Sequence, residues 1–261
     1  MKLGDLLLSQ GKHERSIAYY TRFREENPGS PLAEKAGYHL AYSLLKLGKL
    51  EDSLSTASEL LDLFPQGNQR RQLMQLKIKV LSELNRVREA RIAAEQCVNL
   101  YPEDIQARLD LIKLLFAEKD TKRVIREGTS LSTSFPEHEK EYPSLFLRGQ
   151  FLLGLSSLIE GSNELALSAL AAITPERTEK ANLVWLLPYS RYYYGWALFR
   201  LKRFADAAKV LGSFILSYPD HPLKGNTLYL AGWCHFNQEE YSKAVSFFSR
   251  LSEEEDDLGL K

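Results

Sequence analysis

Side chains that could carry out chemistry are few in this sequence and lie far apart. The five histidines are scattered, and none has the spacing of two histidines and a glutamate on one helix face that binds zinc. The glycine-flanked serine of hydrolases, the phosphate-binding loop and the dinucleotide-binding loop are absent from the sequence. A run of five acidic residues at 253–257 is typical of a solvated chain end. The sequence therefore predicts no enzyme, no metal site and no cofactor.

The remaining reactive residue types have simpler interpretations. Cys97 and Cys234 are far apart and form no CxxC pair, so we expect two buried free thiols. His235 is expected in a helix core, and His221 in a link between helices. These residues predict structural roles.

Charge and hydropathy exclude further classes of function. The chain has 34 basic and 34 acidic residues, and this balance argues against a general nucleic-acid binder. No apolar segment approaches the ~20 residues that a membrane-spanning helix needs, so we expect no direct membrane insertion. Hydrophobic residues make up 44% of the chain, as in a folded protein.

The two ends of the sequence suggest a fragment. The start lacks the basic and apolar regions of a secretory signal, and it leaves room for only part of a first helix. The end shows no polar capping helix of the kind that closes a repeat array. We therefore expect a piece of a longer protein, whose compartment the start does not reveal.

Sliding the chain along itself reveals an internal repeat with a small residue at its centre. We call this residue the anchor and number positions in each repeat from it. The anchors are Gly4, Ala41, Ile78, Ile112, Gly154, Gly195 and Gly232. At +12 the chain has Ser16, Ser53, Ala90, Val124, Ala166, Ala207 and Ala244. At +24 five repeats have proline, namely Pro28, Pro65, Pro102, Pro136 and Pro219.

Each mark of the repeat has a physical meaning. Apolar residues around the anchor follow the spacing of an amphipathic helix. At +7, Gly11, Gly48, Asn85 and Gly161 supply the positive φ that ends this helix. A second helix, for example 51–64, runs up to the proline that stops it. Small residues at the anchor and at +12 would let the two helices approach closely. The unit is a helix–turn–helix pair, repeated about seven times.

The pattern resembles the tetratricopeptide repeat family. The sixth repeat carries the resemblance at Tyr194-Gly195, Leu198, Ala207, Phe214 and Pro219, and the first repeat at Leu3-Gly4, Leu7, Tyr20, Phe23 and Pro28. It covers essentially the whole chain. The resemblance implies an all-α, right-handed superhelical solenoid that serves as a protein-interaction scaffold.

Some repeats depart from the family pattern. Ile78 and Ile112 replace the small anchor, so we expect the helix packing there to adjust. The fifth repeat reaches Pro175 after a shortened second helix. We therefore divide the solenoid into repeats 1–5 at 1–173, an irregular link at 174–190, and repeats 6 and 7 at 191–261.

In the resembled family, one face of the first helices lines a concave groove that binds partners. This face corresponds to positions −3, +1 and +4, which lie on one side of a helix. At +1 the family often has a polar residue, whereas this chain has Tyr42, Trp196 and Trp233. Large aromatic side chains in a groove are typical binding anchors. We predict as partner-binding residues Tyr38, Tyr42, Lys79, Lys113, Tyr189, Tyr192, Trp196, Phe199, Arg200, Asn226, Tyr229, Trp233, Phe236 and Asn237.

Alternative roles stay open for this face. Tyr192, Phe199, Tyr229 and Phe236 are also expected to pack between repeats, and Trp196 and Trp233 could do the same. Gln75, Lys79, Gln106 and Lys113 predict a polar, basic middle of the groove, or only a solvated face.

The expected function is binding of a partner protein or peptide segment. Two alternatives are a structural spacer or self-association segment, and a module for a glycan or an apolar small molecule. The links Pro28–Pro31 and Pro219–Pro222 resemble those of bacterial envelope repeat proteins of the outer-membrane assembly lipoprotein and Tol–Pal coordinator types. That resemblance implies a periplasmic or envelope-associated protein, with a cytoplasmic adaptor as the alternative.

Overall fold

The chain forms helices joined by short turns. Its structure, a computed structural model, describes residues 1–134 and 137–257 and contains no strand in these ranges. Two compact units are distinguished, Met1–Glu118 and Lys119–Lys261. The first unit contains α1 (Lys2–Ser9), α2 (His13–Glu26), α3 (Ala33–Lys46), α4 (Leu50–Leu63), α5 (Arg70–Glu83), α6 (Val87–Leu100) and α7 (Ile105–Ala117). The second unit contains α8 (Thr121–Ser134), α9 (His138–Glu141), α10 (Pro143–Ile159), α11 (Asn163–Ala171), α12 (Pro175–Lys180), α13 (Leu186–Arg200), α14 (Phe204–Ser217), α15 (Lys224–Phe236) and α16 (Tyr241–Asp257).

The order of the helices confirms the all-α prediction. Apart from the short helices α9 and α12, they follow the order of the seven predicted helix pairs. The turn inside each pair is the most regular feature. The residue at +7 has a positive φ in every repeat, and these residues are Gly11, Gly48, Asn85, Lys119, Gly161, Lys202 and Glu239. The sequence revealed only four of these seven turns, because lysine and glutamate rarely adopt this conformation.

Backbone hydrogen bonds explain why the turn tolerates a side chain at +7. The N–H at +8 donates to the carbonyl at +3, for example from Lys12 to Leu7 at 2.9 Å and from Arg203 to Leu198 at 2.9 Å. Bonds of this kind satisfy carbonyls that the end of a helix leaves without partners. Backbone hydrogen bonds therefore hold the turn geometry. They offset the conformational free-energy cost of a non-glycine residue with a positive φ.

The anchor glycines are small because a large side chain from the second helix lies directly on them. A methyl group at Gly195 would come within 2.6 Å of Leu211 Cδ2, and one at Gly232 within 2.5 Å of Phe248 Cε1. Gly4 faces Tyr20, and Gly154 faces Leu170, in the same way. The contacting residue stands at +16 in each of these repeats.

Position +12, which the sequence pairs with the anchor, has a related role. The Ser53 hydroxyl donates to the carbonyl of Ala41, twelve residues earlier, at 2.7 Å. All seven residues at +12 are buried. In the third repeat the large and small residues are exchanged. The anchor is the large Ile78, and the residue at +16 is the small, buried Ala94.

The predicted division of the chain needs one correction. The segment 174–190 is not an irregular link, because it contains α12 and the beginning of α13. Thr174 caps α12 by accepting the N–H of Arg177 at 3.3 Å. The two compact units divide after Glu118, within the fourth predicted repeat. Pro136, the predicted end of the fourth repeat, lies outside the described residues.

Other sequence expectations concern single residues and membrane segments. Cys97 and Cys234 are buried free thiols, and burial raises the pKa of each to about 12. Among the described helices, none is long and apolar enough to cross a membrane.

We expect Gly195→Ala to destabilise the second unit by about 1–2 kcal/mol, because overpacking against Leu211 outweighs the higher helix propensity of alanine. Gly212→Ala is the matched control, since a methyl group there meets nothing within 4 Å. This control should stabilise the chain by up to about 1 kcal/mol. Urea unfolding followed by circular dichroism measures both changes.

A double substitution tests the contact itself. In a Leu211→Ala background, adding Gly195→Ala should be neutral or stabilising, because the space above the anchor is then empty. Equal destabilisation in both backgrounds would show that Leu211 is not what keeps the anchor small.

Candidate functional site

A groove runs across the first helices of the first unit. It has a volume of about 740 Å³, and its lining residues come mainly from α3, α5 and α7. Four predicted site residues, Tyr38, Tyr42, Lys79 and Lys113, all line it. Further lining residues that the prediction did not include are Gln72, Glu83, Asp110 and Ala117. The structure therefore brings the N-terminal half of the predicted site together.

Acidic side chains change the expected charge of this groove. Lys79 Nζ lies 4.0 Å from Glu83, and Lys113 Nζ lies 3.0 Å from Asp110. The charged residues of the lining therefore sum to zero, so the groove is polar but not basic. Both acids lie one helical turn from their lysine, and this spacing could have revealed the pairs.

Two tyrosines form the aromatic end of the groove. The Tyr38 and Tyr42 rings lie 6.4 Å apart, and Lys46 Nζ lies 5.3 Å from the centre of the Tyr42 ring. Burial raises the pKa of Tyr38. The Tyr38 phenol therefore stays protonated near neutral pH and is able to donate a hydrogen bond.

Two buried carboxylates fix the helices that form the groove. Glu34 on α3 accepts the N–H groups of Asn68 and Gln69 at 2.9 and 2.8 Å, just before α5. Asp104 caps α7 and accepts Arg71 Nε at 2.7 Å from α5. Each carboxylate thus connects the first helix of one repeat to the first helix of the next. These contacts help to set the spacing of the groove.

Position +1 stays accessible throughout the array. It is exposed or half-buried in every repeat, at Asp5, Tyr42, Lys79, Lys113, Leu155, Trp196 and Trp233. In the second unit Trp196 is 40% exposed and Trp233 is 37% exposed. The Trp196 ring lies 6.4 Å from the ring of Tyr193 and nearly parallel to it. Such contacts hold the indole rings in place while leaving one side open.

The residues at −3 and +4 in the sixth and seventh repeats differ in their burial. Tyr192 at −3 of the sixth repeat is 6% exposed, whereas Tyr229 at −3 of the seventh is 52% exposed. Phe199 is half-buried, with its ring 5.4 Å from that of Phe204, and Phe236 is exposed. The interpretation that these residues pack between repeats therefore fits Tyr192 and Phe199 best.

The predicted rim residues have mostly structural contacts. Arg200 Nη1 donates to the carbonyl of Leu158 at 2.5 Å, which joins α13 to the end of α10. Asn237 Nδ2 donates to the carbonyl of Trp233 at 2.8 Å. Tyr189 is half-buried with its ring 4.9 Å from His221, and Asn226 is exposed. Of these four residues, Asn226 is the one that is exposed and has no such contact among the described residues.

Several exposed aromatic residues were missed by the sequence analysis. Trp185 is 57% exposed and Tyr241 is 56% exposed. Tyr241 lies 5.5 Å from Phe236 and extends the open patch of the seventh repeat. Both residues stand outside positions −3, +1 and +4, so the repeat pattern did not point to them.

His221 lies in the link between α14 and α15, as predicted. It also has packing contacts, because its ring lies 5.4 Å from Phe214 and its Nδ1 accepts the N–H of Leu223 at 3.1 Å. His235 is half-buried, stacked on Phe247 at 5.1 Å, with Nδ1 at 2.6 Å from Glu240. Among the described residues, no cluster of histidine, cysteine and carboxylate side chains is arranged to hold a metal ion.

Family comparison agrees with this geometry. Profiles described as tetratricopeptide repeat match residues 1–68, 189–221 and 226–257, which together are just over half of the chain. The chain belongs to the tetratricopeptide repeat family. Members of this family are generally non-catalytic and bind other proteins. No curated protein matches this tetratricopeptide repeat chain.

Solved structures share the fold at low sequence identity. A tetratricopeptide repeat protein from Parabacteroides merdae is 13% identical, with 97% of this chain and 90% of that chain covered and a TM-score of 0.59. PilF of Pseudomonas aeruginosa is 14% identical over 84% and 90% of the two chains, with a TM-score of 0.55. A chain of the Naa15/Naa10 complex bound to HypK-THB is 15% identical over 97% and 36%, with a TM-score of 0.58.

The packing of His221 makes the stability of the second unit depend on pH. Burial lowers the pKa of His221 below 6.5, so the unfolded chain takes up a proton first as the pH falls. Stability should therefore decrease below about pH 6.5, because the unfolded state then binds more protons than the folded state. His221→Asn removes the titrating group and keeps an acceptor for the N–H of Leu223.

Thermal unfolding of both proteins at about pH 7.5 and about pH 5 measures this dependence. On acidification, the melting temperature of the wild type should decrease more than that of His221→Asn. Equal losses would mean that His221 does not contribute to the pH dependence.

Proposed function

We propose that this chain is a non-catalytic scaffold that binds a segment of a partner protein along its first helices. In the first unit the segment lies in the groove between Tyr42 and Lys113. In the second unit Trp196 and Trp233 contact the partner. The observation that carries the proposal is the accessibility of position +1, which is exposed or half-buried in all seven repeats and has an aromatic side chain in three.

The physical basis is a surface that is ordered before it binds. Exposed tyrosine and tryptophan supply large contact areas and lose little conformational entropy, so they are frequent binding anchors. Helix packing and the buried carboxylates Glu34 and Asp104 already fix the backbone beneath the groove. A partner segment would therefore bear most of the entropy cost of binding.

The setting that we propose is a bacterial envelope complex. This part of the proposal rests on the two links at Pro28–Pro31 and Pro219–Pro222, each with a second proline three residues after the first. Fusion of the full-length protein to a compartment-sensitive reporter would distinguish the periplasm from the cytoplasm.

Affinity capture from a native extract tests the binding surface. The bait proteins are the wild type, Trp196→Ala/Trp233→Ala and Trp185→Ala. We expect a protein that the wild type and Trp185→Ala retain and that the double variant loses. With the purified partner, the double variant should bind about tenfold more weakly or worse, as for anchor residues.

The Trp185 variant is the matched control. It also removes an exposed tryptophan, at 57% exposure, but from a position outside the repeat pattern. All three proteins should show the same helical circular dichroism before capture. If the double variant retains every protein that the wild type binds, the two tryptophans are packing residues and the proposal is wrong for the second unit.

A second candidate function is self-association through the seventh repeat. Tyr192 is covered because α15 packs beside α13, and the equivalent Tyr229 is open. Tyr229, Trp233, Phe236 and Tyr241 together form an exposed aromatic patch of the kind that binds other proteins. A second copy of the chain could cover this patch.

Tyr229→Lys should abolish self-association, because a charge in the patch opposes burial. Leu216→Lys is the control, since Leu216 is 84% exposed on α14 and lies outside the patch. Sedimentation velocity over a range of concentrations should show dimers for the wild type and for the control only. A wild type that remains monomeric would exclude this function.

A further inference from the structure

The second unit contains a cleft on the side of α13 that faces α14. It has a volume of about 530 Å³, and its lining includes Pro175, Arg191, Tyr194, Lys209 and Tyr218. These residues lie outside positions −3, +1 and +4, so this cleft is separate from the proposed partner-binding face.

The cleft exists because one helix is short. The second helix of the fifth repeat, α11, has nine residues, whereas α2, α4, α6 and α14 have fourteen each. The chain then turns into α12, and Pro175 at its start lines the cleft. The missing turns of α11 would otherwise cover this part of α13.

The corresponding cleft of the first unit lies beside a second helix of full length, α2. There the cleft between α2 and α4 is smaller, about 350 Å³, and Arg24 of α2 pairs with Glu59 of α4 across it at 2.9 Å. The position of Glu59, +18, is Ser213 in the sixth repeat. The cleft of the second unit therefore has the larger volume. It also has a serine where the cleft of the first unit has the Glu59 carboxylate that pairs with Arg24.

Arg191 is the unusual residue of this cleft. It stands at position −4, where the other repeats have the buried residues Gly37, Met74, Arg108, Gln150 and Leu228. Arg108 is 6% exposed and donates to the carbonyl of Pro102 at 3.0 Å. Arg191 is half-buried, and its guanidinium group has no hydrogen-bond or ion-pair partner among the described residues. A position that is buried in these other repeats thus carries a half-buried cation.

The surrounding charges reinforce that of Arg191. Arg203 is paired with Asp206 at 2.7 Å, so these two charges cancel. Lys209 has no side-chain partner among the described residues and lines the same cleft. The charged lining residues therefore carry a net charge of +2, beside the rings of Tyr194, Phe214 and Tyr218.

We propose that this cleft binds an acidic segment of a partner protein. A carboxylate would accept two parallel hydrogen bonds from the Arg191 guanidinium, a geometry that arginine favours. A second carboxylate would lie near Lys209, and an apolar side chain of the segment would contact the aromatic wall. Partial burial of Arg191 strengthens such a pair relative to one in open water.

Fluorescence anisotropy with labelled hexapeptides tests this proposal. The probe is Glu-Glu-Phe-Asp-Glu-Leu, and its matched control replaces every acidic residue with lysine. We expect the acidic peptide alone to bind, with an affinity that falls as salt is added. Arg191→Gln should weaken binding about tenfold or more, because charged hydrogen bonds are lost. The fifth repeat already has Gln150 at this position, so the substitution is compatible with the fold.

Three comparisons decide the result. Arg88→Gln, which removes an exposed arginine of the first unit, should bind the acidic peptide like the wild type. Trp196→Ala/Trp233→Ala should also bind it normally, so this test is independent of the proposed partner-binding face. Unchanged binding by Arg191→Gln, or equal binding of the lysine peptide, would overturn the proposal. Binding of a single-stranded oligonucleotide in place of the acidic peptide would overturn it too.

Discussion

The contact between the anchor and position +16 is the constraint on which the rest of the structure depends. Two helices of a repeat can pack closely only if one side chain at their crossing is small. Glycine at Gly195 leaves room for Leu211, and at Gly232 for Phe248. Because this contact occupies one face of each first helix, the adjacent face, with positions −3, +1 and +4, is left for the groove. The packing of the two helices in a repeat thus determines which face of the first helix is available for binding.

The same constraint explains where the array is irregular. A short α11 leaves part of α13 uncovered, and the chain fills only some of the space with α12. The result is a cleft lined by Arg191, which stands at a position that is buried in other repeats. A change in helix length has therefore produced a second kind of surface, with a different charge from the neutral groove of the first unit.

Much of the fold follows from the sequence, because small anchors, turn glycines and closing prolines repeat at fixed distances. The turns at Lys202 and Glu239 could not be read in this way, since their geometry is held by backbone hydrogen bonds. The helix α12 was missed although Thr174 and Pro175 form a helix start, because Pro175 was interpreted as the end of the shortened second helix. Of the candidate site, the exposure of Trp196 was expected, but the contrast between Tyr192 and Tyr229 was not. These tyrosines have the same position in their repeats, and only the neighbouring helix decides their burial.

The carboxylates of Glu34 and Asp104 have a consequence for how the first unit folds. Contacts sixteen residues apart are local, and chains with local contacts fold rapidly. Each repeat could therefore form early, almost on its own, while the carboxylates join one repeat to the next. In an array of this kind, cooperativity comes from the interfaces between neighbours. Glu34 and Asp104 thus contribute to the coupling that makes adjacent repeats unfold together.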